Sequence, residues 1–184
     1  MPPTFSPVIA VLLVGVLGAA ASDAQQSASG AAPATAANPL DAVPDKMPFD
    51  VPYGAPISLE RANALIAAAI AEARKHDWKL DIAVVDSGGN LVAFQRMDGA
   101  QLASIQVAEH KARASATFRR ETKAFETAVQ SGNVYALSLD GMIGARGGIP
   151  LVDGGRLIGA IGCSGGTSSQ DEVVCKAGVA ALKP

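Results

Sequence analysis

The chain has 184 residues, of which 49% are hydrophobic but only 4% aromatic, and its formal net charge is −2. That length is enough for one domain-sized core. The charge lacks the basic excess that neutralising a nucleic-acid backbone requires, so a small molecule or a protein partner fits better than DNA or RNA.

Residues 8–20 form an apolar run of signal-peptide length, too short to span a bilayer comfortably and followed by small residues suited to cleavage after Ala21 or Ala24. Residues 1–24 are therefore expected to be a secretory signal peptide. This predicts a periplasmic or secreted protein with no stable membrane insertion once the signal is cleaved. The leading stretch MPPTFSPV holds no Lys or Arg, which leaves retention as an uncleaved anchor open.

Residues 22–44 are rich in Ala, Ser, Gln and Pro without helical periodicity and read as a flexible tether. Next, Met47, Phe49, Val51 and Tyr53 alternate among prolines. This pattern suits either a linker or an extended segment laid across the domain or a neighbouring subunit. Residues 25–56 are thus tether and lead-in, and 57–184 the domain.

Ser58 is a good N-cap, and Ala62, Leu65, Ile66, Ala69, Ile70 and Ala73 follow at three- and four-residue spacing, predicting an amphipathic helix that ends on Arg74, Lys75 and His76. Leu80–Asp86 and Leu91–Arg96 are short β-type runs separated by Ser-Gly-Gly-Asn, the chemistry of an antiparallel hairpin. The strand after Asn90 excludes a phosphate loop, which must open a helix. Asp86 and Asp98 are read as turn residues without a catalytic role.

Gln101–Phe118 reads as a helix with two apolar stripes. Leu102, Ile105, Ala108, Ala112 and Ala116 face one way; Ala103, Val107, His110, Ala114 and Phe118 face the other. One stripe covers the sheet, and the second calls for a neighbouring subunit or a bound hydrophobic molecule. Arg119, Arg120 and Lys123 read as a solvated basic face, and Thr122 as the cap of a short helix to Gln130. Residues 133–146 fit either an edge strand or an irregular cover.

The stretch GGIPLVDGGRLIGAIGCSGGTSSQD, residues 147–171, holds two strands and a Gly-rich turn. Leu157–Cys163 has no polar side chain, as a strand covered on both faces requires. Ser164–Thr167 then leads into a helix capped by Thr167, Ser168 or Ser169, so that free N–H groups gather as an anion-accepting rim. The chain has two histidines and no HExxH or CxxC pattern, and no nucleophile, base and orienter set is legible, so an independent hydrolase is not indicated and a metal held by protein side chains alone is not expected.

The segments IAVVDSGGNLVAFQRMDGA, AEHKARASATF and GGIPLVDGGRLIGAIGCSGGTSSQDEVVCKAG, in that order, resemble the GlcG/HbpS-like family of haem-binding, also called haem-degrading, domains. The resemblance covers the chain from about Ile57 to Leu182. It implies an α/β sandwich, profilin-like or PAS-like, with a mainly antiparallel sheet flanked by helices and a tendency to homo-oligomerise. It also implies haem, or a related planar hydrophobic acid, as the small-molecule ligand. Turnover of haem or a small metabolite is the alternative, and an oligomeric structural or sensory module a third reading. On this reading His110 is the candidate haem ligand, with His76, Met97, Met142 and Tyr135 behind it. Lys111, Arg113, Gly165, Gly166 and Thr167 are candidates for the propionates.

Cys163 and Cys175 stand where the commoner family pattern has small apolar residues. A helix folding back over its preceding strand brings both thiols toward one layer, so they are expected either to form a disulfide in an oxidising compartment or to remain two reduced buried hydrophobes.

Overall fold

Arg156–Ser164 (β4) and Asp81–Asp86 (β1) carry buried side chains on both faces, and each is flanked by two strands. They form the centre of a four-stranded antiparallel sheet of order β2-β1-β4-β3, with Leu91–Arg96 (β2) and Gly148–Asp153 (β3) at the edges. The computed structural model describes residues 42–47 and 49–182. Pro44–Pro184 is one compact unit. The expected signal peptide and residues 25–41 of the tether lie outside the described residues.

The period-two alternation of the central strands separates two cores. Ile82, Val84, Ile161 and Cys163 face Leu59–Lys75 (α1) and Ser168–Ala180 (α4), where Leu65, Ile66, Ala69, Val174 and Cys175 complete the larger cluster. Ala83, Val85 and Ala160 face Ala103–Phe118 (α2), which meets them with Ala108, Ala112 and Ala116. This second interface is built from small residues because α2 lies almost on the sheet. A Cβ at Gly162 would collide with the backbone of Ala108 and Ala112, and one at Gly148 with the Lys111 carbonyl.

Ser58 caps α1 as its sequence predicts, its hydroxyl accepting from Arg61 N–H, and Thr167 caps α4 in a reciprocal pair with Gln170. Thr122 does not cap Lys123–Gln130 (α3): it is itself helical, and its hydroxyl accepts from Gly148 N–H at 2.9 Å, pinning α3 to the start of β3. Residues 133–146 are an irregular cover rather than an edge strand, with a short 3-10 turn at Val134–Ser138.

The second stripe of α2 is covered in part by the same chain. Phe118 stands edge-on to Phe125 with ring centroids 5.0 Å apart, beside a third small cluster of Phe125, Ala136 and Met142. Leu102, assigned from periodicity to the sheet side, is 71% exposed, standing at the N-cap just ahead of α2.

The lead-in is an extended strap. Where β1 leaves β4, Leu157 N–H donates to Pro52 O (2.8 Å), Gly54 N–H to Leu157 O (2.7 Å) and Ile57 N–H to Ile158 O (2.8 Å). The strap thus continues the ladder at the start of β4, and Tyr53 O–H donates to Thr117 O at 2.9 Å, tying it to the end of α2.

Candidate functional site

A cleft of about 660 Å³ opens where the end of α2, α3, the 3-10 turn and the strap converge. Five aromatic side chains line it, Phe49, Tyr53, Phe118, Phe125 and Tyr135, together with Arg119 and Arg120. Its size is that of a small-molecule site.

Its chemistry follows from how α2 stops. Arg119 takes the left-handed conformation (φ 55, ψ 36) with its N–H on Ala116 O, and Arg120 N–H reaches Ser115 O at 3.2 Å. The buried Ser115 hydroxyl donates to Arg120 O at 2.8 Å, locking the turn. A side chain in this conformation costs about 1 kcal/mol relative to glycine, and such strain is commonly retained at functional sites. Here it turns two consecutive guanidinium groups toward the cleft.

Arg119 Nη1 donates to Val51 O (3.1 Å), and its guanidinium carbon lies 5.9 Å from the Phe49 ring centroid and 5.3 Å from that of Tyr53. Arg120 lies 3.7 Å from the Phe49 centroid and 5.3 Å from that of Phe125, and its Nε donates weakly to Phe118 O at 3.4 Å. Neither has a carboxylate partner among the described residues. Burial, with a further push from Arg119, brings the Arg120 pKa down from its ordinary value, and Tyr135 opposes the change. Lys123 of the same basic run pairs with Glu172 at 3.2 Å. The run is therefore divided between a cleft and an ion-pair network and is not a uniformly solvated face.

The expected anion-accepting rim fills itself. Lys111 is fully buried, its Nζ 2.6 Å from Asp171 Oδ2 and 3.1 Å from Cys163 O. Burial pushes the Asp171 carboxyl up and the Lys111 charge pulls it down, burial having the larger effect. Gly166 N–H donates to Asp171 Oδ1 (3.1 Å) and Thr167 N–H to Gln170 Oε1 (2.8 Å). The loop's donors at Gly165–Thr167 thus serve the chain's own acid and amide, which removes Lys111, Gly166 and Thr167 as ready partners of an outside anion. Arg113 is exposed, its Nε on Gly89 O at 3.3 Å, away from the cleft.

His110 is half-buried with Nε2 3.1 Å from Gly141 O, consistent with an Nε2–H donor, and is not part of the cleft lining. His76 is exposed at the end of α1, 3.2 Å from Glu72 and stacked on Trp78. Met97 packs against the larger core and Met142 in the third cluster. Of the side chains singled out as iron-ligand candidates, Tyr135 is the one brought to the cleft beside the arginines. The sequence signal for this site was the Arg-Arg pair directly after a helix, together with the Phe49–Tyr53 alternation ahead of the domain.

Cys163 and Cys175 are bridged, with a Cα separation of 5.7 Å. The bond ties β4 to α4 on the side of the sheet opposite α2.

The family model described as "Haem degrading protein HbpS-like" matches residues 57–180. Protein GlcG of Escherichia coli K12 is 41% identical over 108 residues, covering 59% of this chain and 81% of GlcG. Among solved structures, HbpS superposes with a TM-score of 0.65 at 28% identity, covering 71% of this chain and 93% of that one. A PduOC:heme complex superposes with a TM-score of 0.63 at 27% identity, covering 69% and 95%.

Proposed function

The chain belongs to the HbpS-like family, and from that premise we propose that it is an exported protein that binds haem or a related planar hydrophobic acid in the cleft between the strap and the end of α2. One observation carries the reading: two guanidinium groups without acidic partners among the described residues stand on an aromatic-lined cleft. A flat apolar body would lie against the rings, and its carboxylates would meet the Arg119 and Arg120 N–H groups. That donor set fits haem, for which Tyr135 would be the oxygen donor at the cleft and the arginines would be the propionate partners. Bound there, haem would supply redox-active iron. The chain's own part is to exclude water, orient the ring and neutralise its acids.

Two further features complete the reading. The Cys163–Cys175 bridge supports delivery to an oxidising compartment, periplasmic or secreted. Homo-oligomerisation rests on apolar surface left outward: Val134, Leu137 and Leu139 are exposed, and Val107 on α2 is half-buried. Because Phe118 is covered within its own chain, Val107→Glu is the cleaner probe, and it should shift sedimentation toward smaller species with the monomer still folded.

The test of binding is titration of the purified mature protein with haemin. A saturable Soret shift is expected, moved by Tyr135→Phe and weakened by Arg120→Ala, with His110→Ala close to wild type; a spectrum identical to that of free haemin refutes the reading. The matched family's description favours turnover as a second reading. Loss of the Soret band with reductant under catalase protection, with a defined tetrapyrrole product, would establish it.

A further inference from the structure

Residues 49–53 precede the family-matched range, yet Phe49 and Tyr53 supply one wall of the cleft. The strap is held at its base by the Pro52 and Gly54 backbone bonds to Leu157 and by the Tyr53 hydroxyl on Thr117 O. Arg119 adds a clasp at Val51 O. Phe49 is thereby fixed face-on to Arg120 at 3.7 Å.

We infer that the strap sets ligand selectivity: Phe49 positions Arg120 so that the cleft prefers a flat ligand bearing a free carboxylate over its neutral ester. The inference rests on the cleft being a site for planar acids and adds which chain segment does the discriminating. A guanidinium presents five N–H donors in its plane, and a ring stacked on its face leaves that edge open while restricting its rotation. Arg120 spends only its Nε on Phe118 O, and its two Nη groups have no partner among the described residues. An edge held in this way matches the two oxygens of a carboxylate and offers nothing equivalent to an ester, which cannot accept as an anion. Both arginines thus face the ligand's acids, Arg119 with the donors left over from its clasp on Val51 O and Arg120 with the free edge that Phe49 holds in place.

The experiment compares haemin with haemin dimethyl ester on the full chain, reading the ratio of their dissociation constants. Wild type is expected to favour the acid by about tenfold or more, the scale of one charge-assisted bidentate contact. Phe49→Ala should bring that ratio to within about twofold while circular dichroism and thermal midpoint stay at wild-type values, since Phe49 is a half-buried surface side chain. Phe49→Tyr restores the ring and should restore the ratio. Arg120→Lys keeps the charge without the planar fork and should not. A Phe49→Ala protein with the wild-type ratio overturns the inference, as does a wild type that binds acid and ester equally, and in both cases the binding reading survives. A wild type that binds neither removes both.

Discussion

Lys111 and the Arg119–Arg120 pair lie on or directly after the same helix and meet opposite fates. Lys111 points under α2 into the sheet, is fully buried, and finds Asp171, sixty residues away in sequence, at 2.6 Å. Arg119 and Arg120, beyond the left-handed turn, find aromatic faces and backbone carbonyls among the described residues. A buried cation with its acid in place is spent on holding the fold together, and it is unavailable to a ligand unless that pair is broken. A partly buried cation facing rings, with donors left over, is held in place but unspent. Structural charge and recognition charge thus stand within ten residues of each other, on a stretch whose sequence presents both simply as basic residues.

The largest loss is expected at the buried pair. Asp171→Asn strands an ammonium in the core and should cost about 3–5 kcal/mol in urea unfolding, whereas Lys111→Met combined with Asp171→Leu should cost far less than either single change. Haemin affinity of the double variant should equal wild type; a large loss of affinity would make Lys111 a recognition residue after all.

Next in size is the bridge on the opposite face of the sheet. Replacing Cys163 and Cys175 by Ala should lower stability by about 3 kcal/mol, the loop-closure scale for so short a span, without touching ligand affinity. Non-reducing mass spectrometry of the purified protein checks its premise: resistance to alkylation in the denatured, unreduced chain is expected.

On the recognition side the effects move from stability to binding. Arg120→Ala should leave unfolding within about 0.5 kcal/mol of wild type and weaken haemin about tenfold. Arg119→Gly relieves the left-handed strain as it loses the Val51 clasp, so its stability should stay within about 1 kcal/mol of wild type while haemin binding falls. A sharp loss of stability in either variant would return these arginines to a structural role.

Asp81 is a third kind of charged residue, a buried carboxyl with no hydrogen-bond partner among the described residues. It is fully buried at the start of β1. Burial pushes its pKa up, and the more distant Arg96 charge works against that. A raised folded-state value means that the fold holds this proton more tightly than the unfolded chain does. Its contribution to stability is therefore complete below the ordinary aspartate range and is lost as pH climbs through the folded value. Asp81→Asn should flatten that part of the stability–pH curve and exceed wild type at neutral pH. An unchanged slope would show that Asp81 does not titrate in this range.

Local patterning carried α1 and the β1–β2 hairpin, because a helix face and a half-buried strand write their periods directly into consecutive residues. β4 was legible for the same reason: a run without polar side chains has no face to show to water. The cysteine pair was approachable because strand, loop and returning helix have known reach, though only the packing of α4 on β4 chose the bridge over two free thiols. Residues 133–146 carry no clean period, and their 3-10 turn is set by the Phe118–Phe125 cluster beneath them.

Short-range order and composition were enough for the helices, the strands and the supply of basic and aromatic side chains, and the resemblance of three segments pointed to the family. What each charge does depends on the packing. It placed Lys111 on Asp171, filled the Gly165–Thr167 rim with the chain's own acid and amide, left His110 on a backbone carbonyl, and brought Phe49 from outside the matched range onto Arg120. The physical reason is that a partner for a charge or a ring is chosen by proximity in space, across separations of tens of residues that no local period records.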